Sequence, residues 1–86
     1  QNGKLKHILT TRSPIKKVEL INDVICIYAT LGNELVLYDL YNNREIYHIQ
    51  INSSTFSDFA IQGDLIAMAS ESGEISLRNF WTGEEV

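Results

Sequence analysis

Apolar and polar residues alternate over short stretches of the chain, and turn-forming residues separate these stretches. Apolar segments of strand length occur at Leu5–Leu9, Ile15–Ile21, Val24–Ala29, Leu35–Tyr38, Glu45–Ile51, Phe56–Ile61, Leu65–Ser70 and Ile75–Arg78. Alternation with a period of two predicts strands, and no stretch sustains the helical period of about 3.6 residues. Because only short turns separate most of these segments, we expect antiparallel pairing in an all-β fold.

Two of the predicted strands, Val24–Ala29 and Leu65–Ser70, are apolar on both faces. Continuous apolar runs of this length are typical of strands that are covered on both sides. Two stacked sheets cover each other on one face only, and each aliphatic side chain left on an outer face forgoes roughly 1.5–3 kcal/mol of burial energy. The pattern therefore predicts that further sheets pack next to these two.

The second half of the chain repeats the pattern of the first half. An offset of 41 residues pairs Leu5 with Ile46, His7 with His48, Ile8 with Ile49, Val18 with Phe59, Asp23 with Asp64 and Ile25 with Ile66. After one extra residue near Gly32, an offset of 40 pairs Leu35 with Ile75, Leu37 with Leu77, Asp39 with Asn79, Asn43 with Gly83 and Ile46 with Val86. A period of about forty residues with four strands indicates a repeat architecture. Two of the paired residues, Asp23 and Asp64, are expected to make local hydrogen bonds in matching turns.

The repeated stretch resembles the third strand and following turn of a WD40-type β-propeller repeat. It reads Gly73–Asn79 followed by Thr82-Gly83-Glu84 in the second half, and Asn33–Asp39 in the first. The Trp-Asp pair of that family is replaced by Tyr38-Asp39 and Arg78-Asn79, and its Gly-His pair is missing near Ser13-Pro14 and near Ser54-Thr55. These departures leave another type of propeller open.

The resemblance implies antiparallel, four-stranded propeller blades along the whole chain, 1–86. Residues 3–43 would form a first repeat, and residues 44–86 a second repeat with the start of the next outer strand. A propeller closes with roughly four to eight blades, which is more than two. We therefore expect either part of a longer propeller, with further blades in the same chain, or one protomer of an oligomeric ring of identical chains.

Composition narrows the classes of function. Hydrophobic residues make up 44% of the chain, too many for a disordered segment, and no apolar run reaches the roughly 20 residues of a membrane span. The lone cysteine, Cys26, allows no internal disulfide, so we expect a buried thiol in an intracellular protein of the cytoplasm or nucleus. The net charge of −4 argues against nucleic acid as a direct ligand.

The charge is also unevenly distributed. Residues 1–43 carry five basic and four acidic side chains, for a net charge of +1, whereas residues 44–86 carry two basic and seven acidic ones, for −5. No catalytic, phosphate-binding or metal-binding motif stands out. The histidines His7 and His48 occupy equivalent strand positions, which favours a structural role over a metal site. We therefore expect a non-enzyme without a cofactor.

Loops carry most binding functions, and a propeller gathers its loops on two rims. The first rim would join residues 10–14, 30–33, 52–55 and 70–74, and the second rim residues 22–23, 41–44, 62–64 and 81–84. Predicted partner-binding residues are Arg12, Lys16, Asn33, Ser53, Ser54 and Glu71 on the first rim and Trp81 on the second. An exposed tryptophan could anchor a binding partner. It could equally well pack over the edge of the next blade.

Three hypotheses for function follow from this pattern. The first is a WD40-like interaction scaffold that binds a protein or peptide through a loop rim. The second is a structural segment of a large ribonucleoprotein or coat-type assembly. The third is a propeller hydrolase in which acidic side chains such as Asp58 and Glu71 line the central channel.

Overall fold

A computed structural model describes residues 9–52 and 54–86. Its strands are β1 (Ile15–Leu20), β2 (Ile25–Thr30), β3 (Glu34–Asp39), β4 (Arg44–Gln50), β5 (Phe56–Gln62), β6 (Leu65–Ser70) and β7 (Ile75–Asn79). These strands match seven of the predicted segments, so the expected all-β fold is confirmed. The remaining segment, Leu5–Leu9, lies outside the described residues except for its last residue.

The strands form two antiparallel sheets in which each strand pairs with its neighbour in sequence. The first sheet has the order β1-β2-β3-β4, and the second sheet has the order β5-β6-β7. Glu84–Val86 lie beside β7. There Arg78 forms an antiparallel backbone β-bridge with Glu85, and the Val86 amide donates to the Leu77 carbonyl at 3.0 Å. The second sheet therefore contains three full strands and the first residues of a fourth.

Matching turns show how the repeat is built. The side-chain oxygen of Asp39 accepts hydrogen bonds from two backbone amides of the turn after β3, and the amide oxygen of Asn79 does the same after β7. The left-handed residues also repeat at an offset of 40: φ is 58° at Asn43 and 78° at Gly83. Left-handed backbone favours Asn and Gly, which explains why these residues mark the turns.

The structure corrects the position at which the offset changes. Tyr28 lies opposite Val18 in the first sheet, and Met68 lies opposite Phe59 in the second sheet. Val18 and Phe59 are 41 residues apart, whereas Tyr28 and Met68 are 40 apart. The offset is therefore 41 between β1 and β5 but already 40 between β2 and β6. The extra residue therefore lies in the turn between β1 and β2, not near Gly32. The predicted pairing of Ile25 with Ile66, and with it that of Asp23 with Asp64, is wrong. A shift of one residue reverses the face to which a strand side chain points.

A shared core fills the space between the two sheets. From the first sheet it contains Ile27, Ala29, Leu35 and Leu37, and from the second sheet Phe56, Phe59, Ile66 and Met68, with Ile51 and Phe80 from the loops. The opposite face of the first sheet carries a smaller outer cluster, made of Cys26, Tyr28, Val36 and Tyr38 with Leu9 and Leu40 packed against it. The thiol of Cys26 is buried as expected, and burial raises its pKa.

The two doubly apolar strands are buried to different extents. Cys26–Thr30 of β2 are buried on both faces, whereas β6 buries Ile66 and Met68 but leaves Leu65 40% exposed. Further apolar side chains are exposed on the outer faces of the sheets. They include Val18 and Leu20 on the first sheet and Ile75 and Leu77 on the second. These two outer faces are the surfaces that the sequence predicts to be covered by further sheets.

Candidate functional site

The hairpin registers bring the predicted first-rim loops to one end of the sheets. The Leu31 amide donates to the Pro14 carbonyl at 2.9 Å, and the Glu71 amide donates to the Thr55 carbonyl at 2.8 Å, so adjacent loops are joined by backbone hydrogen bonds. The side chains of Arg12 and Glu71 are exposed on this rim. Both are therefore accessible to a partner in the described structure.

Asn33 connects the two sheets across the rim. It adopts a left-handed backbone with φ of 64°, and its amide group donates to the carbonyls of Ile51 at 2.6 Å and Ser54 at 3.1 Å. Its amide oxygen accepts a hydrogen bond from the backbone of Phe56 at 3.0 Å. The side chain therefore stabilises the link between β4 and β5, and the structure places both Asn33 and Ser54 in that link. Ser53 lies outside the described residues.

Two lysines of β1 also reach across to the second sheet. Lys16 donates to the Phe56 carbonyl at 2.6 Å, with its ammonium 5.5 Å from the centre of the Phe56 ring. Lys17 donates to the Asp58 carboxylate at 2.5 Å and to the Phe59 carbonyl at 2.6 Å. The Lys17 hydrogen bond holds the pKa of Asp58 below its usual range. Both lysines therefore make intramolecular contacts, which a test of partner binding must take into account.

A cavity of about 290 Å³ opens beside the first rim and is called the first groove here. His48 lies in its wall with Nε2 2.9 Å from Glu34 and Nδ1 3.0 Å from Glu45. These two hydrogen bonds raise the pKa of the imidazole, with the Glu34 contact contributing most. The bond to His48, followed by one from the Thr30 hydroxyl, lowers the pKa of Glu34, and Arg12 contributes a smaller electrostatic effect. The groove therefore combines apolar walls with a charged edge.

A second groove of about 160 Å³ repeats the first groove in the second sheet. Glu74 and Glu85 in its wall stand forty residues after Glu34 and Glu45 of the first groove. Arg78 also lines it and donates to the Gly83 carbonyl at 2.6 Å. The strand that would carry the equivalent of His48 is present only as its first residues.

Trp81 lies on the second rim, at the opposite end of the sheets. The residue is 58% exposed, and its ring meets that of Phe80 edge to face with centroids 4.7 Å apart. The indole Nε1 donates to the Asp64 carboxylate at 3.0 Å. The predicted local hydrogen bonds of Asp23 and Asp64 are not the ones found. Instead, the side-chain oxygen of Asn22, at the start of the turn between β1 and β2, accepts hydrogen bonds from the backbone amides of Val24 and Ile25.

The two carboxylates named in the hydrolase hypothesis lie in different elements of the second sheet. Asp58 lies on β5 in an ion pair with Lys17, and Glu71 lies in the loop after β6. Across residues 9–52 and 54–86, no group of three or more His, Cys, Asp and Glu side chains is arranged to hold a metal ion. The same residues include no helix long and apolar enough to cross a membrane.

The cluster of His48 with Glu34 and Glu45 was missed as a functional feature in the sequence. A signal for it was present, because both glutamates recur forty residues later as Glu74 and Glu85. Spacing alone, however, cannot show that residues 34, 45 and 48 meet. The β3–β4 register brings them together, with Val36 opposite His48 and Tyr38 opposite Glu45.

Comparison with solved structures identifies the architecture. The computationally designed Ika4 protein aligns with 99% of this chain and 52% of its own at 12% identity, with a TM-score of 0.74. Hsv2 of Kluyvelomyces marxianus aligns with 84% of this chain and 24% of its own at 14% identity, with a TM-score of 0.67. Ph1500, a homohexameric protein centred on a 12-bladed β-propeller, aligns with 90% of this chain and 49% of its own at 18% identity, with a TM-score of 0.53.

These likenesses show the fold alone, because each identity is low. The two antiparallel sheets are blades of a β-propeller, as the sequence predicted. The chain spans about half the length of Ika4 and Ph1500 and about a quarter of Hsv2. No protein-family model matches the chain, and no curated protein matches it in sequence.

Proposed function

We propose that this chain is a non-enzymatic interaction scaffold built from two WD40-like propeller blades, which binds a protein or peptide through its first rim. The observation that carries this proposal is the first rim itself. Its loops are held by backbone hydrogen bonds and the Asn33 link, while Arg12 and Glu71 stay exposed, Arg12 in the wall of the first groove. Rigid loops with accessible charged groups are suited to recognition, because little conformational entropy is lost on binding.

The size of the first groove favours a peptide over a small molecule. Its volume of about 290 Å³ lies just below the range for small-molecule sites, roughly 300–1,000 Å³. A groove of that size accepts one or two side chains of an extended segment. Arg12 and the Glu34–His48–Glu45 cluster would then select the charge of that segment.

The blades also need neighbours, either further blades of the same chain or identical chains. Exposed aliphatic side chains on both outer faces support this part of the proposal, since Val18, Leu20 and Ile75 are each more than half exposed. The neighbour Ph1500 offers a precedent in which identical chains assemble around one propeller. We also propose an intracellular location, because Cys26 is a free thiol and the chain has no second cysteine with which to form a disulfide.

A peptide array probed with the labelled chain tests the rim. The dissociation constants of the best peptides are then measured by fluorescence anisotropy for wild type, Arg12→Ala and Glu71→Ala. Each substitution should weaken binding by about fivefold or more, the effect of losing roughly 1 kcal/mol at a contact. Lys16 and Asn33 are unsuitable for this test, because substituting either one also removes an intramolecular link.

The matched control is Tyr41→Ala on the second rim. Tyr41 is 76% exposed, so its removal should leave both folding and peptide binding unchanged. An array without binders, or equal affinities for wild type and both first-rim variants, would argue against the proposed rim. Thermal unfolding of each variant, followed by circular dichroism, separates lost contacts from lost structure.

A further inference from the structure

Trp81 is an exposed aromatic side chain that its neighbours hold in one orientation. Its indole Nε1 donates to the Asp64 carboxylate at 3.0 Å, its ring meets the buried Phe80 ring at 88°, and its backbone amide donates to the Asn79 side chain at 2.8 Å. An edge-to-face contact covers at most one face of an indole. Because the residue is 58% exposed, a face of the ring stays open to solvent. The ring is therefore a preorganised surface on which a partner can stack.

The repeat shows that a neighbouring sheet does not cover this place. Tyr41 stands forty residues before Trp81, and the backbone amides of both residues donate to the side chain that begins the turn, that of Asp39 or Asn79. The second sheet packs against the first sheet through the shared core, yet Tyr41 is 76% exposed. A sheet stacked in the same way on the second sheet would leave Trp81 accessible. This observation favours a partner anchor over a cover for the next blade.

Asp64 distinguishes the surroundings of Trp81 from those of Tyr41. The Asp64 carbonyl accepts a backbone hydrogen bond of 2.7 Å from the turn after β7, and the Val24 carbonyl accepts one of 2.7 Å from the turn after β3. Residues 64 and 24 therefore occupy equivalent places in the two sheets. Since the first sheet forms this turn with a valine, the turn itself does not require a carboxylate at the place of Asp64.

The surroundings of the indole are acidic. The second-rim loops of the second sheet, residues 62–64 and 81–84, carry Asp64 and Glu84 and no basic side chain. Arg78 reaches these loops from β7, where its guanidinium donates to the Gly83 carbonyl at 2.6 Å. Within the described part of the chain, the indole of Trp81 is the one group that donates to the Asp64 carboxylate. A carboxylate offers about four acceptor sites, so most of the acceptor capacity of Asp64 is free for a cationic donor.

A guanidinium suits this pair better than an ammonium does. The flat guanidinium stacks on an aromatic face, and the N–H groups along its edge can reach a carboxylate at the same time. The ammonium of lysine is a compact point charge without a planar face. Arginine is also one of the residue types that contribute most to the binding energy of protein interfaces.

We propose that Trp81 and Asp64 on the second rim bind an arginine side chain of a partner protein. The guanidinium stacks on the open face of the indole and directs its N–H groups at the Asp64 carboxylate. This inference goes beyond the proposed function, because it assigns a second binding surface at the opposite end of the sheets from the first rim.

The indole of Trp81 supplies the readout, because it is the only tryptophan of the 86-residue chain. Its Nε1–H signal in a nitrogen–proton correlation spectrum is followed while three capped glycine peptides, with a central arginine, lysine or citrulline, are titrated. Citrulline keeps the planar shape of arginine and lacks the charge. The arginine peptide should shift the signal saturably, and the lysine and citrulline peptides should bind about threefold and about tenfold more weakly. Added salt should weaken binding of the arginine peptide and leave that of the citrulline peptide unchanged.

Asp64→Asn tests the carboxylate. Asparagine keeps an oxygen that can accept the indole N–H but removes the charge, so the arginine peptide should bind about fivefold or more weakly and lose its advantage over the citrulline peptide. The matched charge control is Asp23→Asn, which removes a carboxylate from the second-rim turn of the first sheet and should change the affinity less than about twofold. The matched aromatic control is Tyr41→Ala, which should leave the titration unchanged. Circular dichroism of each variant verifies the fold.

Three results would overturn the proposal. The first is an indole signal that the arginine peptide does not shift saturably in the wild-type chain, a measurement that depends on no variant. The second is a lysine or citrulline peptide that binds as tightly as the arginine peptide. The third is unchanged affinity of folded Asp64→Asn for the arginine peptide. None of these results concerns peptide binding through Arg12 and Glu71, so failure of this inference is distinguishable from failure of the proposed function.

Discussion

The imidazole of His48 shows how a single side chain responds to its sheet neighbours. Both ring nitrogens face carboxylates, Glu34 at 2.9 Å and Glu45 at 3.0 Å, and both can donate only when the ring is protonated. The positive ring is therefore stabilised in the folded state, and the pKa of His48 is raised. For the same reason the pKa of Glu34 is lowered.

The stabilisation from this cluster depends on pH in two directions. The His48 contribution is fully present below the ordinary pKa of 6.5 and is lost as the pH rises through the raised folded value. The Glu34 contribution is present above the ordinary pKa of 4.5 and is lost as the pH falls through the lowered folded value. The cluster therefore stabilises the fold most between these two ordinary values.

We predict that His48→Gln destabilises the chain mainly inside this pH window. Because the side chain of His48 is 39% exposed, solvent screening limits the effect to at most about 1 kcal/mol. Urea unfolding of wild type and variant at several pH values measures the difference, which should shrink at alkaline pH. A difference that does not vary with pH would show that the charge of His48 does not matter.

At the scale of elements, the turn after β7 is built to receive β4. Tyr47 donates its hydroxyl to the Phe80 carbonyl at 2.8 Å, which joins the two sheets at the second rim. A Cβ added at Gly83 would collide with the side chains of Tyr47 and Ile49, and φ there is 78°. Glycine at this place therefore serves both the turn and the contact between sheets.

Comparing two glycine substitutions separates these roles. Gly63→Ala, at a φ of 58° with open space around it, should cost roughly 1–2 kcal/mol from backbone strain alone. Gly83→Ala should cost about 1 kcal/mol more, because the end of the Ile49 side chain and the Tyr47 ring must shift to accommodate the methyl group. Equilibrium unfolding of both variants measures the difference. Equal costs would mean that the side chains of Ile49 and Tyr47 adjust to the added methyl group without loss of stability.

At the scale of the whole molecule, equivalent positions in the two sheets have different surroundings. Leu37 and Leu77 occupy the same place in the repeat, yet Leu37 is fully buried in the shared core and Leu77 is 43% exposed. The first sheet is covered by the second on this face, whereas the second sheet has no described neighbour there. The molecule therefore offers a matched pair of leucines that differ mainly in burial.

We predict that Leu37→Ala costs about 2–5 kcal/mol of unfolding free energy, as large-to-small changes in a core do. Leu77→Ala should cost about 1 kcal/mol or less at low protein concentration, because its side chain is only partly buried. Urea unfolding at two concentrations provides the measurement. If Leu77→Ala costs as much as Leu37→Ala at every concentration, the outer face of the second sheet is covered within the single chain.

The sequence by itself determined the strands, the repeat and the turn residues, because these depend on local chemistry. The period-two pattern located β1 to β7, and Asn43 and Gly83 marked matching left-handed turns. The two rims also followed, since antiparallel hairpins alternate their loops between two ends. The offset change was misplaced, because a one-residue shift inside runs such as Val24–Ala29 leaves the apolar pattern unchanged.

Only the tertiary structure decided which side chains meet. Asn33 and Lys16 looked like free rim residues in the sequence, but the approach of the second sheet engages both with backbone groups. The cluster around His48 likewise depends on the β3–β4 register, which local preferences do not encode. Contacts between distant segments require the sheets to stack, and stacking is set by the burial of apolar faces over the whole chain.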